Sequence, residues 1–197
     1  MAAPAIEPAL GLLELESIAA GIEVGDAMAK RAPIEVLRAG TVHPGKYLVL
    51  VGGDVADVEE ALAAGRELGG LALRDTTFLP NIHPDVVDGL RGARDDVRAE
   101  ALGIIETATV PAIIRAADAG LKGAHVRLLE LRLADDLGGK GYLLFGGEVT
   151  DVEAAVEIGA AAVGKTRGTH WRVIAQLHHE MAAELAADAR FAARARE

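Results

Sequence analysis

A chain of 197 residues with a formal net charge of −10 and no basic cluster excludes a nucleic-acid partner held through its phosphates, and the lack of cysteine excludes disulfides, thiolate-bound zinc and cysteine-ligated iron–sulfur clusters. No charge-free run reaches the ~18 residues of a membrane span, and the N-terminus, with Glu7 and no basic stretch, does not read as a secretory signal, so a soluble cytoplasmic protein without a membrane partner is expected. Apolar residues make up 51% of the chain but aromatic ones only 3%, a composition of small side chains that let backbones approach closely and that hide surface in an assembly.

Residues 9–16 alternate near their end and predict a strand, after which Ser17 stands as the N-cap of a helix over 18–31 that stops before Pro33. Residues 34–42 and 46–51 predict two strands joined by the tight turn His43, Pro44, Gly45. Asp54 then caps a helix over 55–68, closed by Gly69 and Gly70. A strand over 71–79, a turn over 80–84 and a short helix over 85–90 follow, and the charged stretch 92–98 reads as a linker. The same order returns: strand 101–107, helix 109–122 capped by Thr109, strand 125–134, turn 135–139, strand 140–146, helix 149–162, strand 167–174 and a terminal helix from about residue 177.

The recurrence is a duplication. The run from Gly45 to Gly65 and the run from Gly139 to Gly159 share eleven of 21 positions, and a second matched block starts at Ala9 and again at Ala101. Two domains are therefore expected, over residues 9–91 and 100–180, each a four-stranded, mainly antiparallel sheet with helices packed on it, the α+β class. Either half alone would bury only about two thirds of its unfolded surface. Packing against its twin or against other subunits is the natural remedy.

Several motifs invite chemistry. Gly159 to Thr166, GAAAVGKT, matches the phosphate-loop pattern, but that loop must follow a strand and open a helix, and here a helix precedes it, so a plain helix-to-strand turn is expected. His178 and His179 are helix neighbours pointing about 100° apart, which suits a solvated face and not a metal pair. No nucleophile, base and orienting acid share a spacing, and the expectation is that the protein is not an enzyme and carries no cofactor. The pairs Asp26/Lys30 and Asp118/Lys122 lie one helical turn apart in both copies. Retention in both copies suggests an intermolecular role.

The blocks LGLLELESIAAGIEVGDAMAKRA and HPGKYLVLVGGDVADVEEAL, with NIHP at Asn81 to Pro84, resemble the shell-protein domain of bacterial microcompartments, and the duplication resembles its tandem-domain, trimer-forming class, of the propanediol-utilisation type. The similarity runs from about Ala9 to His178. It implies a homotrimer with pseudo-sixfold symmetry in a microcompartment shell, tiling with hexameric and pentameric shell proteins of the same compartment, with a central pore for small metabolites. By that resemblance His43, Pro44 and Gly45, with Asp136, Leu137, Gly138 and Gly139, ring the pore, and Lys30, Lys122 and Asn81 make shell-edge contacts. Asn81 and Gln176 replace the arginine that the family carries before the terminal PH of each domain. His43 stands where the propanediol-type relative carries a cluster-ligating cysteine, which leaves open a second reading, a metal- or redox-centre trimer with His43 on the threefold axis.

Overall fold

The first strand, β1 (Ala9–Leu15), is buried on both faces, and the reason sets the architecture. Alternate residues of a strand point to opposite sides. Leu13 and Leu15 turn toward the helices of their own domain, where they pack with Val24, Met28, Val58 and Leu62. Leu10 and Leu12 turn the other way and join a core that includes Val110, Ile113 and Ile114 of the second domain. One strand thus belongs to two hydrophobic layers.

The computed structural model describes residues 8–164 and 168–187. After β1 come α1 (Ile18–Arg31), β2 (Val36–Val42), β3 (Lys46–Gly53), α2 (Val55–Gly69), β4 (Leu73–Leu79) and α3 (Pro84–Leu90). The second domain repeats them as β5 (Ala101–Thr107), α4 (Val110–Gly123), β6 (Arg127–Leu133), β7 (Gly141–Gly147), α5 (Val149–Val163), β8 (His170–Ala175) and α6 (His179–Ala187). Each domain is a four-stranded sheet, in the orders β2-β3-β1-β4 and β6-β7-β5-β8, and every strand pair is antiparallel.

Local chemistry explains most boundaries. Ser17 accepts a hydrogen bond from the Ala20 N–H at 3.3 Å and Asp54 one from the Ala56 N–H at 2.9 Å, each satisfying an orphan donor of the first helical turn. Residues 70–72 form a single 3-10 turn, so β4 begins at Leu73 and not at residue 71. A glycine is kept at positions 65 and 159 because helices and strands approach closely there: a Cβ on Gly65 would stand 2.7 Å from Met28 Sδ, and one on Gly159 2.8 Å from Ile105 Cδ1. In the phosphate-loop match, α5 runs through to Val163 and Gly164 ends it; Lys165 and Thr166 lie outside the described residues.

Three local expectations need correction. Thr109 precedes α4 but its side chain does not cap it; the hydroxyl donates instead to Asp75 Oδ2 of the first domain. His178 stands just before α6, where its Nδ1 accepts from the Glu180 N–H at 3.4 Å, as His83 Nδ1 accepts from the Asp85 N–H at the start of α3. The charged linker is not a loose tether: Val97 is buried against Leu102, Leu129 and Leu144, and the Asp95 carboxylate pairs with Arg127 at 2.5 Å.

The missing cap of α4 comes from the other domain. Glu14, fully buried on β1, places Oε1 2.6 Å from Lys46 Nζ and accepts the Val110 N–H on Oε2 at 2.7 Å. A carboxylate at a helix N-terminus meets both an unpaired donor and the positive end of the dipole. Glu14→Ala leaves the Lys46 ammonium buried without its partner, and loss of about 3 kcal/mol is expected in urea-induced unfolding.

Candidate functional site

Two places carry the residues singled out in the sequence, and a third lies where the domains meet. The first is a pair of loops. The β2–β3 turn closes with the Gly45 N–H donating to Val42 O at 3.0 Å, and Gly45 adopts φ +87°. The β6–β7 turn is longer, and Asp136, Gly138 and Gly139 take positive φ in it, at 62°, 63° and 81°. The structure brings the two loops side by side: the His43 N–H donates to Asp135 Oδ1 at 3.0 Å, and a Cβ on Gly139 would lie 2.8 Å from Pro44 Cδ. His43, Pro44, Asp136 and Gly138 are exposed and Leu137 is half-buried. Among the described residues of one chain, no three His, Asp or Glu side chains are gathered as a metal site.

The second place holds the Asp–Lys pairs, and the two copies differ. Asp26 and Lys30 form an exposed pair at the end of α1. Asp118 is buried, and it works across the domain boundary: Oδ1 accepts the His83 N–H at 2.8 Å while Oδ2 holds Lys122 at 2.7 Å. Lys122 in turn donates to the Asn81 carbonyl. The structure thus joins Lys122 to Asn81, and leaves Lys30 with Asp26.

The third place is the seam between the domains, which the sequence reading did not name. Arg115 of α4 makes two contacts to the Asp75 carboxylate, at 3.3 and 3.2 Å, and donates to Thr76 O at 2.6 Å. Glu14 and Lys46 lie beside them, and α3 packs on β6 with Gly89 close to Leu128 and Leu131. The matching face of the second sheet is partly open: Ile104 and Glu106 are half-buried where Leu12 and Glu14 are buried. On that face Tyr142 has its phenol pushed above the usual range, first by burial and then by the Glu130 carboxylate. The signal for the seam was present in the duplication, since Glu14 and Lys46 recur as Glu106 and Lys140.

Paired loops at one end, a domain-spanning seam and an Asp–Lys pair kept in both halves are what the described residues set out. The model of the BMC domain matches residues 9–82 and again 101–177. The bacterial microcompartment shell protein PduT of Citrobacter freundii is 41% identical over 172 residues, covering 87% of this chain and 94% of that protein. A crystal structure of a microcompartment protein from Desulfitobacterium hafniense superposes with a TM-score of 0.74 at 38% identity, covering 88% of this chain and 97% of that one. The fused permuted hexameric shell protein MSM0275 shares the fold at a TM-score of 0.56 and 21% identity, over 78% of this chain and 80% of that one. The chain belongs to the bacterial microcompartment shell proteins, with two BMC domains in tandem.

Gly139 tests how tightly the paired loops are set. Gly139→Ala puts a side chain into a φ that favours glycine and against Pro44, and a loss of about 1–3 kcal/mol is expected in thermal unfolding. Gly138→Ala, at φ +63° with open space around it, is expected to cost less.

Proposed function

We propose that three chains close into a pseudo-hexameric disc that serves as a structural tile of a microcompartment shell, with a central pore for small metabolites. The observation that carries this reading is the seam itself. One domain pair is docked within the chain through Leu10, Leu12, Glu14 and Asp75, while the second domain keeps the corresponding sheet face partly open and the first keeps Ile18, Ile22 and Leu37 exposed. A surface of one kind at one end and its complement at the other is the condition for a closed ring.

In that ring His43, Pro44 and Gly45 and residues Asp136, Leu137, Gly138 and Gly139 line the pore, since the loops that carry them sit together at one end of both sheets. Lys30, Lys122 and Asn81 make the contacts to neighbouring tiles, the hexameric and pentameric shell proteins of the same compartment. The role is structural and not enzymatic.

Light scattering at micromolar concentration is expected to give three times the 20.4 kDa chain mass; a single-chain mass overturns the reading. Exposed ion pairs contribute at most about 1 kcal/mol, and Lys30 and Asp26 are mostly exposed. Lys30→Ala is therefore expected to keep the trimer mass while reducing the sheets or shells seen by electron microscopy when the protein is made with a hexameric shell partner.

A further inference from the structure

The tandem repeat allows the seam inside the chain to be set, position by position, against the two surfaces left open at its ends. Glu106 stands where Glu14 stands and Lys140 where Lys46 stands, and these two also pair, at 2.7 Å, but with side chains 36% and 53% exposed. Ile18 and Ile22 occupy the positions of Val110 and Ile114; they are 40% and 57% exposed, whereas Val110 and Ile114 are 1% and 0%. Glu106, Lys140, Ile18 and Ile22 thus repeat covered members of the seam with much more of their side chains exposed.

One element is not shared, and it is inverted. Asp75 lies opposite Glu14 in the β1–β4 register, and His170 lies opposite Glu106 in the β5–β8 register. Arg115 of α4 corresponds to Glu23 of α1. The covered seam therefore has its carboxylate on the strand and its nitrogen group on the helix, and the bare surfaces have a nitrogen group on the strand and a carboxylate on the helix. The Glu23 and His170 side chains are both exposed, and neither takes part in a side-chain hydrogen bond or ion pair among the described residues.

Building on the trimer reading, we propose that the seam between chains pairs His170 of one chain with Glu23 of the next, a polarity-reversed counterpart of Asp75–Arg115, while Glu106 accepts the Ile18 N–H of that next chain. The tandem order already makes unlike domains alternate once the seam within the chain is closed; the reversal acts against an exchanged seam, opened and re-paired with another chain. A first domain docked on another first domain would set Asp75 against Glu23, two carboxylates, and a second on a second would set His170 against Arg115, which leaves the guanidinium without its carboxylate. Both wrong orders lose the attractive contact, and the first adds repulsion, so the pair supplies specificity as well as adhesion. The partner is a second copy of this chain.

The chain has no cysteine, so introduced thiols report without background. In the full-length protein, Glu23→Cys with His170→Cys, treated with a short bis-maleimide, is expected to give covalent species of two and three chains on a reducing gel. Asp75→Cys with Arg115→Cys is expected to stay at one chain. Glu23→Cys with Asp75→Cys is expected to yield no ladder. A wild type that is trimeric by light scattering but shows no ladder for the first pair overturns the proposed pairing and leaves the trimer intact. A wild type that is a single chain removes the trimer itself. In a second arm, Glu23→Arg is expected to raise the trimer's dissociation constant at least tenfold, and adding His170→Asp to restore it. If the single change has no effect, or the second change does not restore assembly, the polarity code is wrong.

Discussion

The buried Glu14 carboxylate is the interaction on which the structure depends. A charge taken fully out of water is tolerated only when its oxygens are occupied, and here one faces the Lys46 ammonium and the other the Val110 N–H. That second partner belongs to the other domain, so the cost of burying Glu14 is offset only when the domains are docked. The arrangement makes the seam a condition of the fold and not an optional contact. Asp118, buried and shared between the His83 N–H and Lys122, repeats the logic at the other end of α4.

Between these two carboxylates α4 is held along its length, and its burial shows it. Ten of its residues are buried, against four in α1, although the two helices have the same length and the same place in their domains. The difference is not one of propensity. It is the presence of a neighbour: α4 lies in the groove made by the first sheet and α3, and α1 has no such groove among the described residues. The exchange of Gly21 in α1 for Ile113 in α4 has a different cause, internal to each domain: Gly21 sits under Tyr47, and Ile113 sits over Gly141, which stands where Tyr47 stands.

Much of the fold could be read from the sequence because the strands and helices announce themselves locally. Ser17 and Asp54 cap as their residue types suggest, the hairpin turn closes at Gly45, and the repeat fixed the domain count. The family was legible for the same reason, through ordered runs such as GDAMAKRA and PGKYLVLVGGDV. What could not be read was anything that depends on which surfaces meet. Thr109 has the residue type of a cap, yet its hydroxyl is drawn to Asp75, a partner 34 residues away. His83, though part of the NIHP run, gave no sign of its local role: it caps α3 while its own N–H binds Asp118. The stretch 92–98 has linker composition, but Val97 and Asp95 tie it to the second domain. Sequence spacing encodes what lies within a few residues, and the seam is made of contacts far apart along the chain.

That docked linker also bears on how a ring would be built. With residues 92–98 fastened down and the seam closed, the second domain never has to find the first by diffusion; their meeting is intramolecular and its effective concentration is set by the tether. In a disc of three such chains, half of the seams are complete before any two chains collide. Compared with a ring of six separate single domains, assembly would depend on the third power of chain concentration and not the sixth. A chain that carries two domains would therefore close such a ring at a lower concentration than six separate domains need.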